Sequence, residues 1–188
     1  MLHVGMLWED NIFFDTKNAR ILEDVAALCG KLSVLPMPPM PPMPPLTKEE
    51  QAPPLDVLVV NHPHHLAASF MLELGEESFL LINSDKRHIS TPAGCRARLI
   101  TYGLNQKACI TASSIVDDHG GGQMQICIQR AFPTAGAIVT AQEFAVKMGS
   151  LNTETTLALV GVMLVCGNTI DTITNNLGQQ LHEKLVIH

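Results

Sequence analysis

The chain has 188 residues, long enough for one domain of ordinary size with a real core, and its 46% hydrophobic content with a formal net charge of -6 describes a globular protein. Basic runs are absent, so charge gives no reason to expect nucleic acid or an anionic membrane as partner. The 5 cysteines (Cys29, Cys95, Cys109, Cys127, Cys166) are scattered without a C-x-x-C pair, which argues against a disulfide framework or a zinc ribbon and for a reducing cytoplasm.

The first residues, "MLHVGMLWEDNIFF", lack the basic, apolar and small-residue succession of a signal peptide. Residues 1–35 read as a strand and helix segment. Within it Asp15–Lys31 places Ala19, Leu22, Val25, Ala26 and Cys29 at helical spacing, behind an Asp15 cap and before a Gly30 stop. A Pro/Met-rich segment then fills residues 36–54, opening with a short Met-Pro-Pro repeat. Its prolines remove backbone donors and hold the chain near polyproline II. A stiff linker or exposed loop is the favoured reading over a docking ligand, because no aromatic or basic residue flanks the repeat.

Residues 55–188 alternate apolar runs with helical ones. "LDVLVV", "SFLLIN" and "ARLITYG" are strands, and "HHLAASFMLELG" is a helix. Short strands apolar on both sides, separated by helix-length crossovers, predict an α/β fold with a three-layer, mostly parallel sheet flanked by helices. From about 107 to 148 the period shortens, and "ACITASSIVDD", "GQMQICIQRAF" and "AIVTAQEFAVKM" predict a small antiparallel β flap, its first two strands joined through "HGGG". "TLALVGVMLVCG" falls short of the roughly 20 residues a bilayer needs and predicts a buried helix over Asn152–Cys166. The last segment, with Ile170, Ile173, Leu177 and Leu181 at helical spacing, predicts an amphipathic helix.

The order of these segments resembles the second half of the central ATP-binding domain of the Mur ligase family, over about residues 55–177. The residues that carry the resemblance are Asn61 at a strand end, His65 with Leu66 (His64 standing where the family has Asp), Asn83 and Asp85 after the second strand, Thr101–Tyr102–Gly103 after the third, and Gly149 with Asn152 at a helix start. Members of that family are ATP-dependent amide ligases that phosphorylate a carboxylate for attack by an amine. The resemblance therefore makes Asn61, His65, Asn83, Asp85, Tyr102 and Asn152 remnants of a nucleotide or ligand site.

Departures from the pattern bear on function. ATP phosphates need a glycine-rich loop with Lys and Ser/Thr, and no G-x-x-x-x-G-K-[ST] occurs in the chain. The helix after "HPHHL" is short and holds no lysine, Thr155 and Leu151 replace the family's second Asn and its His, and the amine-delivering C-terminal domain has no counterpart in these residues. No catalytic residue is assigned and no cofactor is expected.

The expected role is a non-catalytic binding or regulatory module in the cytoplasm, with a protein partner or a homodimer covering the sheet edge that loss of the P-loop half leaves open. One alternative is a subunit of a split acid–amino acid ligase, with Mg²⁺ and ATP bound only when a partner chain brings the P-loop. Another is a metal or small-ligand site at His62, His64 and His65, which follow a strand end where α/β sheets bind ligands. Neighbouring loop histidines seldom converge, so a loop with His65 bonding locally is preferred to a metal site.

Three further sets of residues have plain structural readings. Asp85 reads as a helix cap before a carboxylate for acid-base or magnesium work, and Asp117 and Asp118 as turn formers beside the "HGGG" glycines. Cys29, Cys109, Cys127 and Cys166 read as small core residues, not nucleophiles. Met37, Met40 and Met43 are spaced by the repeat alone.

Overall fold

The computed structural model describes residues 2–7, 32–36, 54–62, 67–116, 122–149 and 151–183. The predicted helix at Asp15–Lys31, most of the Met-Pro-Pro repeat, His64, His65, Cys29, Asp117 and Asp118 lie outside them.

Ten strands and three helices occur among the described residues: β1 (Leu2–Leu7), β2 (Leu32–Pro36), β3 (Val57–Val60), α1 (Ala67–Glu73), β4 (Phe79–Asn83), β5 (Arg98–Tyr102), β6 (Ile110–Val116), β7 (Gly122–Ile128), β8 (Phe132–Pro133), β9 (Ile138–Val139), β10 (Gln142–Gly149), α2 (Thr153–Val165) and α3 (Ile170–Glu183). The fold is α/β. An 8-stranded, mostly parallel sheet runs in the order β10-β7-β6-β5-β4-β3-β1-β2, and β8 and β9 form a separate 2-stranded antiparallel pair. Among the described residues no helix is long and apolar enough to cross a membrane.

The chain divides into two compact units, Met1–Leu80 with His88–Arg98, and Leu81–Arg87 with Leu99–His188. In the first, β1 pairs in parallel with β2 and with β3, in registers that include Val4↔Val34 and Val4↔Val57. Val57–Val60 are buried on both faces, which explains why they form an unbroken apolar run without alternation. β2 is a strand that the sequence reading does not assign. Five residues ending in proline give little period to detect, and Pro36 is the last residue of the outermost strand among the described residues, the kind of position where proline is found in sheets. Asp56 ties β3 to β1: its backbone N–H donates to the His3 carbonyl (2.9 Å) and its Oδ2 accepts the His3 N–H (2.7 Å). Met71 in α1 and Leu74 just past its end are buried while Leu72 is exposed, an i, i+3 pair on one side.

The second unit carries the predicted antiparallel segments. β6 pairs with β7, and β7 with β10. On β7 and β10 burial alternates with period two, Met124, Ile126 and Ile128 and then Phe144, Val146 and Met148 lying inward. The second and third predicted segments are each broken in two. Residues 129–131 separate β7 from β8 and residues 140–141 separate β9 from β10. Thr134 closes the short β8–β9 turn, its N–H and hydroxyl both donating to the Ala137 carbonyl at 2.8 and 3.0 Å.

Helix α2 is apolar all round, and every residue from Thr155 to Val165 is buried, as a helix without a polar stripe must be. Asn152 caps it, its Oδ1 accepting the Thr155 N–H at 2.8 Å. Its end is a Schellman motif: Gly167 at φ 85° donates to the Leu164 carbonyl and Asn168 to that of Met163. Thr169 then starts α3, whose Ile173 and Leu177 are buried and which packs on β10.

Candidate functional site

The densest group of predicted site residues lies at the ends of β4 and β5 in the second unit. It begins with a topological oddity. β5 and β6 are parallel neighbours, Tyr102 opposite Ile110, yet only residues 103–109 connect them. Parallel neighbours ordinarily need a crossover of about a dozen residues or more. Such a tight return is held by polar groups.

Asp85 supplies most of them. Its Oδ2 accepts the Leu104 N–H at 2.6 Å, and its Oδ1 accepts both the Asn105 N–H and the Asn105 Nδ2 at 2.9 Å. Both carboxylate oxygens thus accept bonds from the 103–105 turn, Oδ2 one and Oδ1 two. The backbone N–H of Asp85 in turn donates to Asn83 Oδ1 at 3.0 Å, so buried Asn83 fixes the carboxylate's direction. Gly103 stands at φ 145°, and a Cβ there would lie 2.8 Å from the Asp85 carboxylate. That position needs glycine for both conformation and space.

Ser84 and Asn105 complete the arrangement. The Ser84 N–H and hydroxyl both donate to the Tyr102 carbonyl, at 2.8 and 3.1 Å, and Asn105 Nδ2 donates to Ser84 Oγ at 2.6 Å. Asn105 Oδ1 accepts the Lys107 N–H at 2.9 Å and its carbonyl the Ala108 N–H at 3.1 Å. Lys86 Nζ lies 3.1 Å from Glu154 Oε1, which links this turn to the first turn of α2. Sequence reading misses Ser84, Lys86, Asn105 and Glu154. The only signal for them is position, since each is a common polar residue beside a motif residue.

Tyr102 is fully buried, and its hydroxyl is held well above the ordinary phenol range, first by burial and then by the negative charges of Glu154 and Asp85. A neutral phenol of this kind does not serve as a base near neutral pH.

Asp85 caps a loop and not a helix, because residues 84–97 contain no helix for it to cap. Asn83, Asp85, Tyr102 and Asn152 all belong to the second unit, while Asn61 and His62 belong to the first. Asn61 is buried at the end of β3 and His62 is half-buried beside it. Among the described residues no group of three or more His, Cys, Asp or Glu side chains is placed to hold a metal ion.

Cys95, Cys109, Cys127 and Cys166 are half-buried, so the core reading of the last three is corrected: Cys127 lies on the less buried face of β7, between β6 and β10, Cys109 just before β6 and Cys166 at the C-cap of α2. The Cys127 thiol is pushed up by desolvation and by Glu143, its neighbour on β10, which opposes nucleophilic use.

No protein-family model matches the chain, and no curated protein gives a significant match. Among solved structures it is similar to MurF from Acinetobacter baumannii, at 14% identity and TM-score 0.48, with 67% of this chain aligned to 29% of that one. It is likewise similar to the MurF ligase from Thermotoga maritima in complex with ADP, at 15% identity and TM-score 0.48, with 68% of this chain aligned to 30% of the other. The chain spans less than a third of the length of those structures, and the likeness is one of fold over that segment.

Proposed function

We propose that this chain is a non-catalytic binding or regulatory module with a Mur-ligase-like scaffold. The observation that carries this reading is the commitment of Asp85. A carboxylate dedicated to magnesium or a proton would keep most of its acceptor capacity for the ligand, whereas bonds from Leu104 and Asn105 take up three of the roughly four lone-pair sites of Asp85. Asn152 and Asn83 are likewise engaged, one as a helix cap and the other under the Asp85 turn. The absence of any G-x-x-x-x-G-K-[ST] segment from the chain supports the same view, since phosphates would lack their backbone cradle and lysine.

The alternative of a split ligase has Asp85 take a ligand on the acceptor site that Oδ2 retains, or release the turn, when a partner supplies the P-loop. Titration calorimetry of the whole chain with Mg²⁺-ATP distinguishes the two. The expected result is no heat beyond dilution at millimolar nucleotide. Saturable micromolar binding, by the chain alone or after addition of a P-loop-bearing partner, would overturn the non-catalytic reading. Elemental analysis of the same sample tests the His62–His65 alternative, where stoichiometric bound metal would favour it.

A further inference from the structure

The neighbouring strands β6, β7 and β10 carry a row of polar side chains on one face. Their registers set Thr111 opposite Cys127, and Cys127 opposite Glu143. Side chains alternate along a strand, and Ile110 reaches toward α2, its Cδ1 3.4 Å from where a Cβ on Gly161 would stand. Thr111 and Cys127 therefore lie on the face turned away from that helix. The ladder continues one residue before β6, where the Gln129 N–H donates to the Cys109 carbonyl at 2.9 Å. Cys109 thus follows Thr111 on the same face and stands diagonal to Cys127. Both cysteines are free and half-buried, and the Cys127 thiol donates to Glu143. Thr111 between them is 5% exposed, and its hydroxyl has no hydrogen-bond partner among the described residues. A buried hydroxyl left without a partner is uncommon and points to a further group at that place.

We propose that Cys109 and Cys127 form a two-thiolate site for one soft monovalent cation, Cu(I), with the Thr111 hydroxyl donating to the Cys127 sulfur. Diagonal neighbours on an antiparallel pair stand about 7–8 Å apart at Cα. That exceeds the roughly 4.4–6.8 Å of a disulfide, so the two thiols are badly placed to bond directly. It suits an ion between them, because two opposed metal–thiolate bonds of about 2.3 Å set the sulfurs about 4.6 Å apart. Thiolates select Cu(I) over harder ions. Among the described residues no third His, Cys, Asp or Glu joins the pair, as tetrahedral zinc would require. Binding exchanges two thiol protons for one ion without a change of oxidation state. The Cys127 proton leaves along its bond to Glu143, and that of half-buried Cys109 passes to solvent. A thiol accepts hydrogen bonds weakly and a thiolate strongly, so binding gives the Thr111 hydroxyl the acceptor it lacks. The inference stands whether or not the chain binds nucleotide.

Anaerobic titration of the reduced full chain with Cu(I), in competition with a chromogenic Cu(I) chelator, tests the site. The expected result is one Cu(I) retained per chain. Cys109→Ser and Cys127→Ser are each expected to abolish that retention, and Cys95→Ser to leave it unchanged. Thr111→Val, which removes only the hydroxyl, is expected to weaken binding by about 10–100-fold, the usual effect of losing a hydrogen bond to a metal ligand. Each variant is checked for an unchanged far-ultraviolet dichroism spectrum, and either serine variant at positions 109 and 127 suffices if the other fails to fold. A wild-type chain that yields all its Cu(I) to the chelator overturns the proposal. So does retention that persists in a folded Cys109→Ser or Cys127→Ser chain, which would place the ion elsewhere, as at the His62–His65 loop that these substitutions leave intact.

Discussion

A single carboxylate organises the β5–β6 return, and its removal is the sharpest test of that role. Asp85→Ala strips acceptors from the Leu104 and Asn105 N–H groups and is expected to lower stability by about 2 kcal/mol, in the range of a lost charge-assisted bond. Gly103→Ala forces a Cβ to 2.8 Å from that carboxylate at positive φ and should cost about 1–3 kcal/mol. Because the second penalty is partly a collision with the first residue, the double variant is expected to lose less than the sum. Denaturant midpoints of the two single variants and the double variant measure the coupling, and strict additivity would refute the contact.

The chain's one tyrosine gives a second test at this scale. Tyr102 has a folded-state pKa raised above that of the unfolded chain, so the folded state retains a proton that the unfolded state releases. Its contribution is intact below about pH 10, the ordinary tyrosine value, and stability declines as pH rises beyond it. Phenolate absorbance is therefore expected to appear only together with loss of far-ultraviolet dichroism. A reversible titration near the ordinary value in the folded protein would contradict the burial.

Helix α2 shows how one small residue admits a neighbour. A Cβ at Gly161 would lie 2.6 Å from Leu81 Cδ2 and 3.4 Å from Ile110 Cδ1, both on fully buried side chains. Gly161→Val is expected to cost about 1–3 kcal/mol or more by overpacking. Gly161→Ala should cost less, because the smaller side chain displaces Leu81 less and alanine gains about 1 kcal/mol in helix propensity over glycine. Thermal unfolding of the two variants checks the order, and equal effects would argue against a steric cause. The boundaries of this helix were legible in advance: an apolar run preceded by Asn152 and followed by Gly167 is a capped helix in any setting. The breaks within the second and third flap segments were not, because polar residues such as Thr140 and Gln142 suit a strand and a turn equally.

Across the molecule, stability should be graded. Val57–Val60, β4 and the middle of α2 are buried throughout, whereas Ser113–Val116 and Ala135–Ala137 in the β8–β9 turn are exposed. Hydrogen exchange is expected to be slowest at amides of α2 and β4 and faster by orders of magnitude at Gly136 and Ala137. Uniform exchange would show that burial does not set local opening here.

The sequence by itself determined the α/β class, the order of strands and helices in residues 55–183 apart from the β7–β8 and β9–β10 breaks, and the apolar character of α2, because each follows from local period and capping. It also brought Asn83, Asp85, Tyr102 and Asn152 to notice. Their tasks were decided only by tertiary structure. Asp85 meets Leu104 and Asn105 across about twenty residues of chain, as the separation of those positions dictates, and no local pattern reports whether a carboxylate after a strand will face a ligand, a helix or another turn. The same holds for β2, a short run recognisable as a strand only once β1 lies beside it, and for the open side of β6, which exists because β5 ends at Tyr102 while β6 continues to Val116. Period is a property of neighbouring residues; pairing is a property of segments that folding brings together.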